Sequence, residues 1–324
     1  TGRTLRLASP PMEGDDVRIV QQRLLALGFS EVGEADGAFG PKTEAAVRAF
    51  QAASALEVDG IVGPQTWARL FSGGEAAPQL LAIVDAEHGW LLGGVQAGQW
   101  LDAKAVAGQL HGGERYQLFA NSSPAGTATG SRPEGNTEPC ADLFNLKLDS
   151  ATPLIGTIGL TGGSNPLPRT PAELPANTSA AQQAVAALLQ ANGIAPPDIR
   201  IKRVLRVDLE GDGAEELVIA ATRYQNGGEF PSPDAAAGDY SLVVIVKNQG
   251  GSQQTIPVAA EYYPAAKEFN APNQHDLTGV LDLNGDGRME LVLYETYYEG
   301  AATTVYTFDG SQAAPVVVNA GCGV

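Results

Sequence analysis

Two short acidic stretches carry the clearest chemical pattern in this sequence. VDLEGDGAEELVI at 207–219 and LDLNGDGRMELVL at 281–293 place oxygen-bearing groups at alternate positions between apolar runs. The candidate ligands are the side chains of Asp208, Glu210, Asp212 and Glu216 with the Ala214 carbonyl, and the side chains of Asp282, Asn284, Asp286 and Glu290 with the Arg288 carbonyl. Because Ca²⁺ takes six to eight oxygen ligands at short range, this spacing predicts one or two structural calcium ions. An acidic turn that binds no ion is the alternative.

The flanks of these loops separate them from EF-hands. An EF-hand closes with a bidentate Glu at its twelfth position, where this chain has Ile219 and Leu293. The closing carboxylate here comes three positions earlier, and the flanking runs are strand-like. The pattern resembles the calcium loops of FG-GAP and VCBS-type repeats. That resemblance implies that each loop joins two strands of a β-propeller blade.

The residues around each loop must therefore form strands. Apolar and alternating runs predict four strands per loop, at 200–207, 216–223, 240–247 and 254–262, then at 277–282, 289–298, 302–308 and 314–318. Two such units suggest blades, so we expect a propeller-like β domain, with a β-sandwich or open sheet as the alternative. A helix at 180–190 interrupts the strands. The polar stretches 121–140 and 161–179 are predicted to be loops, and the second could mark a sub-boundary.

The N-terminal part contains a repeat of a different kind. DGAFGPKTEAAVRAF at 36–50 recurs as DGIVGPQTWARLF at 59–71. In each copy Asp-Gly favours a tight turn, a glycine can cap the following helix, and a proline suits its first position. Apolar residues at helical spacing predict an earlier helix that starts near Asp15 and ends at Gly28. We expect a three-helix domain at 1–73 preceded by a short lead-in at 1–13, a linker at 74–79, and a β-rich domain at 80–324. The fold class is multidomain α+β.

The repeat and the helix before it resemble the peptidoglycan-binding module found at the ends of bacterial cell-wall hydrolases. The resemblance covers residues 12–71. Its motif positions are Asp36, Gly37, Phe39, Gly40, Thr43, Phe50, Gln51, Asp59, Gly60, Gly63, Thr66 and Trp67. It implies a small helical domain that docks on cell-wall glycopeptide. We expect the repeated Asp, Gly and Thr residues to hold the fold rather than to contact the ligand.

The net charge of the sequence limits the kinds of ligand that the protein can bind. The formal net charge is −17, which argues against a nucleic-acid ligand because phosphates attract Lys and Arg. The acidic balance suits a secreted, cation-binding protein, or simply a well-solvated surface.

No apolar run is long enough to predict a membrane span. The sequence starts without Met, as expected if a leader has been removed or the chain starts internally. Cys140 and Cys322 form either one disulfide or two free thiols.

The sequence offers no recognisable catalytic motif. His88, His111 and His275 stand outside the spacings typical of zinc peptidases and amidases. Neither cysteine has the setting of a Cys–His transpeptidase, and no GxSxG or SxxK is present. These patterns predict a secreted bacterial cell-wall protein that binds peptidoglycan and carries a calcium-stabilised β domain for binding or adhesion. A peptidoglycan hydrolase with an unrecognised site in the β domain is the alternative.

Overall fold

The computed structural model describes residues 3–27, 29–54, 56–71, 80–162, 165–225, 231–249 and 252–323. The chain divides into two compact units, Thr1–Pro78 and Gln79–Val324. The first is helical and the second is mostly β, so the multidomain α+β class is confirmed. Gly28 and the predicted linker at 74–79 lie outside the described residues. Among the described helices, none is both long enough and apolar enough to cross a bilayer.

The N-terminal unit contains three α-helices and a short 3₁₀ turn. These are α1 Asp15–Ala26, the 3₁₀ turn Ser30–Val32, α2 Pro41–Ala53 and α3 Pro64–Phe71. Gly40 caps α2 and Pro41 takes its first position, where a missing amide hydrogen costs nothing. The helices close over one apolar core. Its largest buried members are Leu5, Leu24, Phe39, Phe50, Trp67 and Leu70.

The N-terminal residues belong to this core, so the prediction that residues 1–13 are a mere lead-in was wrong. Leu5 is fully buried, and its backbone exchanges hydrogen bonds of 3.2 and 2.8 Å with Val62. The Trp67 indole donates to the Arg3 carbonyl at 2.8 Å. The physical reason is that this extended segment places one apolar side chain in the gap beside the second turn. Its backbone also pairs with the backbone of that turn, so the polar groups of both are satisfied.

The second unit contains eighteen strands and two helices within the described residues. The strands are β1 Leu81–Asp85, β2 Trp90–Gln96, β3 Gln99–Asp102, β4 Arg115–Ala120, β5 Ser123–Gly130, β6 Glu134–Gly135, β7 Phe144–Asn145, β8 Leu148–Ser150, β9 Thr157–Leu160, β10 Ala172–Leu174, β11 Ile201–Val207, β12 Glu216–Arg223, β13 Asp239–Gln249, β14 Ser252–Tyr263, β15 Gln274–Leu281, β16 Glu290–Tyr297, β17 Gly300–Phe308 and β18 Ala313–Gly323. They form three sheets. The nine-stranded sheet runs β6-β7-β2-β1-β9-β4-β5-β8, with β3 beside β2, the five-stranded sheet runs β10-β11-β12-β13-β14, and the four-stranded sheet runs β15-β16-β17-β18. The helices are α4 Ala103–Ala107 and α5 Ser179–Ala191.

These sheets pack in layers, with the four-stranded sheet in the middle. One of its faces shares a core with the five-stranded sheet, where Leu291 and Leu293 meet Val243. The other face shares a core with the nine-stranded sheet. Helix α5 covers the outer face of the five-stranded sheet and α4 covers that of the nine-stranded sheet. The predicted four-stranded units are present as β11–β14 and β15–β18, and each acidic loop joins the first two strands of its unit.

The stretch 121–140 is not the loop that its small polar residues predicted. It contains β5 and β6, and β5 pairs with β4 along its length. Ala128 packs in the apolar core with the fully buried Tyr116, and a side chain at Gly130 would collide with the Tyr116 ring. Small residues are therefore required beside a large buried ring. The second predicted loop, 161–179, also contributes a short strand, β10, which pairs with β11.

The two cysteines form one disulfide. Cys140 and Cys322 are bonded, with their Cα atoms 5.5 Å apart. The bond ties the end of β18 to the segment that follows β6, across 182 positions of sequence. Of the two alternatives left by the sequence, the single disulfide is confirmed.

Candidate functional site

A buried glutamine organises the first turn of the N-terminal repeat. The Gln21 side chain is 1% exposed and reaches from α1 into the turn before α2. Its amide nitrogen donates to Asp36 Oδ1 at 2.8 Å and to the Ala38 carbonyl at 3.0 Å. It also contacts Thr43 Oγ1 at 3.0 Å, while its oxygen accepts from the Gly37 amide at 2.7 Å. One side chain thereby forms hydrogen bonds with four polar groups of the turn and of the helix that follows it.

The second turn repeats this network one helix later. Gln51, on α2, donates to Asp59 Oδ1 at 2.7 Å, to the Ile61 carbonyl at 3.0 Å and to Thr66 Oγ1 at 3.1 Å. Its oxygen accepts from the Gly60 amide at 2.8 Å. Gly37 and Gly60 have φ of 81° and 73°, the left-handed region that favours glycine.

The predicted motif residues lie mostly within these networks and the core. The pKa of Asp36 is held low by the Ala38 amide and then by Gln21, and that of Asp59 by the Ile61 amide and then by Gln51. Phe39, Phe50 and Trp67 are buried. Thr43 and Thr66 are also buried, and Gly40 and Gly63 directly precede α2 and α3. These positions build the turns, while the surface beside them is left to other side chains.

The role of Gln21 escaped the sequence reasoning, although a signal was present. The helices that precede the two turns read VRIVQ at 17–21 and VRAFQ at 47–51. The repeat therefore starts one helix earlier than its turns suggest. Each unit consists of a helix that carries the glutamine, a turn and the start of the next helix.

A cleft of about 410 Å³ lies beside the second turn. The Gln51 network forms part of its lining, while Leu56, Glu57 and Gln65 contribute side chains outside that network. Glu57 and Gln65 are exposed and Leu56 is half-buried. A concave surface with apolar and hydrogen-bonding groups held by a rigid turn is suited to a glycopeptide ligand.

The two acidic loops of the β unit fold alike. Asp208 accepts hydrogen bonds from the amides of Gly211 at 2.6 Å and Gly213 at 3.0 Å. At the matching positions, Asp282 accepts from Gly285 at 2.7 Å and from Gly287 at 3.0 Å. The closing carboxylates also match, since one Glu216 oxygen accepts from the Leu209 amide and one Glu290 oxygen from the Leu283 amide.

The closing carboxylates are buried without adequate compensation for their charge. Glu216 is 1% exposed, and its Oε1 has no hydrogen-bond partner in the described structure. Burial raises the pKa of Glu290 to about 8, and it also raises the pKa values of Glu216 and Asp282. A buried carboxylate with an unsatisfied oxygen is costly unless a cation or donor faces it. A divalent cation beside these oxygens would lower that cost, and alternating oxygens of this kind are the ligands that Ca²⁺ prefers.

The other predicted ligands are held by neighbours. Asn284 and Asp286 hydrogen-bond to each other and to loop amides, and Asp212 accepts from the Ala214 amide. Glu210 forms an ion pair with Lys247, away from the Asp208 amide network. Over the described ranges, no three His, Cys, Asp or Glu side chains are grouped as a metal site requires. An ion would therefore have to draw these side chains inward, and the ligand set stays a prediction.

Arg169 connects the two loops. Its guanidinium donates to the Asp208 carbonyl and to the Gly287 carbonyl, each at 2.5 Å. The Met289 amide also donates to the Leu209 carbonyl at 2.8 Å. The loops thus lie side by side at the same end of their sheets.

Two of the three histidines form carboxylate pairs. His88 Nδ1 lies 2.9 Å from Asp85 Oδ2, and the imidazole stacks on both Trp90 and Tyr294, with ring centroids 4.6 and 4.7 Å away. The Asp85 hydrogen bond raises the pKa of His88 despite partial burial. His275 Nδ1 lies 2.9 Å from Glu295 Oε1. His111 is exposed on a turn. Neither pair could be predicted from the sequence, because the partners come from different strands or from a strand and a turn.

Comparison with known proteins assigns a family to part of the chain. Residues 13–70 match the family of putative peptidoglycan binding domains. The N-terminal unit therefore carries a peptidoglycan-binding domain, as its motifs predicted. The match covers less than a fifth of the sequence and does not extend to the β unit.

The curated relatives match over short lengths. An uncharacterized protein in the bpoA1 3' region of Kitasatospora aureofaciens is 49% identical over 57 residues, 18% of this chain and 48% of that protein. The N-acetylmuramoyl-L-alanine amidase CwlL of Bacillus licheniformis is 41% identical over 70 residues, 20% of this chain and 19% of the amidase. The N-acetylmuramoyl-L-alanine amidase CwlM of Mycobacterium tuberculosis is 44% identical over 61 residues, which are 19% of this chain and 15% of the amidase. The chain thus spans less than half the length of these relatives. No solved structure matches the chain significantly.

Proposed function

We propose that this is a secreted bacterial protein that binds peptidoglycan through its N-terminal unit and presents a calcium-stabilised β unit for binding or adhesion. The family match over residues 13–70 carries the first part of the proposal. The cleft beside the second turn supplies a concave surface next to a rigid scaffold. Its ligand contacts come from side chains outside the Asp–Gly–Thr motif, such as Leu56, Glu57 and Gln65.

The calcium part rests on the geometry of the two loops. The unpartnered Oε1 of Glu216 and the buried Glu290 need positive charge nearby, and the loop spacing supplies further oxygens. We infer that Asp208, Asp212 and Glu216 hold one ion and that Asp282, Asp286 and Glu290 hold another. Asn284 and the carbonyls of Ala214 and Arg288 complete the sets, and Glu210 joins the first only by leaving Lys247. A bound ion neutralises the clustered carboxylates and fixes the turns. The resemblance to FG-GAP and VCBS-type loops agrees with this role.

Wall binding is tested by sedimentation with purified sacculi. The full chain should pellet with the sacculi, and Leu56→Asp should weaken retention at least tenfold because it places a charge in the cleft. Leu7→Asp is the matched control, since Leu7 is an exposed leucine outside the cleft lining. Equal retention of both variants would contradict the assignment of the cleft. Failure of the parent chain to pellet would contradict the function itself.

Calcium binding is tested by calorimetric titration and by thermal melting of the chain with Ca²⁺ or EDTA. Ca²⁺ should raise the melting temperature of the β unit, and Glu290→Gln should remove one binding event. Glu215→Gln, at an exposed position beside the first loop, should bind like the parent chain. Identical melts in Ca²⁺ and EDTA would exclude a structural ion.

A wall hydrolase is the second candidate, and one observation favours it. His88 is oriented by the buried Asp85, the arrangement that prepares an imidazole for general acid–base work. The amidase relatives add context, although their match is short. Release of dye from labelled sacculi by the full chain, abolished by His88→Phe, would establish this activity. If the full chain releases no more dye than a buffer control, the hydrolase candidate is contradicted and the binding role remains.

A further inference from the structure

A polar trough crosses the four-stranded sheet at the end away from its acidic loop. Direct cross-strand partners form its central row, from His275 to Glu295, from Glu295 to Ala302 and from Ala302 to Gly321. Because strand side chains alternate, Glu295 lies on the same face as Leu291 and Leu293, which is the face toward the five-stranded sheet. Ala302 and Gly321 have little or no side chain, so the floor is open over two strands. The resulting volume is about 480 Å³.

One side of this trough is a rigid histidine–carboxylate pair. Glu295 accepts from His275 Nδ1 at 2.9 Å, from the Thr304 hydroxyl at 3.0 Å and from the Tyr306 hydroxyl at 3.4 Å. The His275 backbone amide donates to Ser241 Oγ at 2.8 Å, which links the pair to the five-stranded sheet. The imidazole is therefore held at Nδ1 by Glu295, while the His275 backbone is anchored on the five-stranded sheet.

The remaining ring nitrogen of His275 lacks a partner. The side chain is 92% buried, and Nε2 makes no hydrogen bond in the described structure. Since Nδ1 is engaged by the Glu295 carboxylate, Nε2 is the ring atom left to form a hydrogen bond with a ligand. A buried polar atom without a partner is costly, and a ligand hydroxyl, which can donate or accept, would satisfy it.

The other lining residues define the ligand class. They include the amides of Asn273 and Asn319, the Tyr297 ring and the glycine-rich end of β18. None of the residues lining the trough is Lys or Arg, and one is Glu, so anionic ligands are disfavoured. Tyr297 and the exposed Tyr298 form an edge-to-face pair at 5.8 Å. Amides, rings and an open floor suit a neutral ligand with both hydroxyl groups and apolar C–H faces.

We propose that this trough, over Ala302 and Gly321 with the unpartnered Nε2 of His275 at its side, binds a neutral carbohydrate. The site is separate from the N-terminal unit and does not depend on wall binding by that unit. Its volume lies within the range of about 300–1,000 Å³ found for small-molecule sites. If both sites take parts of one polymer, the chain gains avidity through a second contact.

Calorimetric titration of the full chain with tri-N-acetylchitotriose tests the proposal. Ala302→Leu should weaken binding at least tenfold by filling the floor. Ala314→Leu, at an exposed position on β18 outside the trough lining, should bind like the parent chain. Asn319→Ala provides a second variant with an exposed side chain, should Ala302→Leu fail to fold. Gln51→Leu, which disrupts the N-terminal unit, should also retain the binding.

Several results would overturn the assignment. They are an absence of binding to the trisaccharide, equal affinity of Ala302→Leu and Ala314→Leu when both melt like the parent, or loss of binding in Gln51→Leu alone. Binding of a sugar-free stem pentapeptide in place of the trisaccharide would also overturn it. Failure of sacculus binding with trisaccharide binding intact would remove the proposed wall function and leave this site standing.

Discussion

At the residue scale, the N-terminal unit depends on two buried glutamines. Gln21 and Gln51 each satisfy an aspartate, a glycine amide, a carbonyl and a threonine at once. The Asp–Gly turns and the capping glycine–proline pairs could be predicted from sequence because their chemistry is local. The hydrogen bonds of the two glutamines could not be predicted, because the aspartate partners lie 15 residues from Gln21 and eight from Gln51 along the chain. Helical periodicity alone gives no reason for a buried amide.

Gln51→Leu should destabilise the N-terminal unit by about 3 kcal/mol, because it leaves the buried Gly60 amide without its acceptor and removes a donor from Asp59 and from the Ile61 carbonyl. Denaturant unfolding measures this loss. Gln65→Leu, at an exposed position on α3, should change the free energy of unfolding by less than about 0.5 kcal/mol. Similar losses in both variants would show that the network is not what holds the turn.

His88 should make the stability of the β unit depend on pH. Its folded pKa lies above its ordinary value of 6.5 because of Asp85. The folded state therefore binds the proton more tightly, and the resulting stability is fully present below pH 6.5 and lost as pH rises through the folded pKa. His88→Phe keeps an aromatic ring in the stack but should lose this additional stability at low pH. His111→Phe should retain it. Parallel stability–pH curves for His88→Phe and the parent would contradict the assignment.

At the element scale, the acidic loops lie beside each other and share Arg169. Each loop joins strands whose alternating apolar pattern made them predictable. The order of the layers was not predictable, because alternation shows that a strand has two faces but not which sheet covers each. The small strands β5 and β6 were missed for a related reason. Strand β5 is stabilised by pairing with β4 and by packing on Tyr116, and β6 by pairing with β7, rather than by their own propensity.

Arg169→Ala should lower the stability of the β unit by about 1–3 kcal/mol, because it removes donors from the carbonyls of Asp208 and Gly287. The same change should weaken calcium binding at both loops, which calorimetric titration would detect. Arg132→Ala is the matched control on an exposed segment. An effect on one loop only would show that the two loops act independently.

At the whole-molecule scale, the chain combines a matched binding unit with a larger β unit that carries most of the acidic charge. The first 73 residues contain seven basic and nine acidic side chains, so nearly all of the net charge of −17 lies beyond them. The family of the first unit was visible from its motifs. The Cys140–Cys322 pairing could not be decided from sequence, because two cysteines so far apart are brought together only by the packing of β18 against the nine-stranded sheet.

The double substitution of Cys140 and Cys322 by Ser should destabilise the β unit by about 2–5 kcal/mol, since it restores freedom to a long loop of the unfolded chain. The melting transition of the N-terminal unit should stay unchanged, because both cysteines lie in the other unit. Differential scanning calorimetry resolves the two effects. An unchanged β-unit transition would mean that the disulfide contributes little.

The most direct test of the central claim is equilibrium binding to purified sacculi by the full chain and by a chain that lacks residues 1–78. The full chain should bind saturably. The shortened chain should bind sacculi at least tenfold more weakly than the full chain, and any remaining affinity should come from the trough on the four-stranded sheet. Equal affinities for the two chains would contradict the claim that the N-terminal unit attaches this protein to the cell wall.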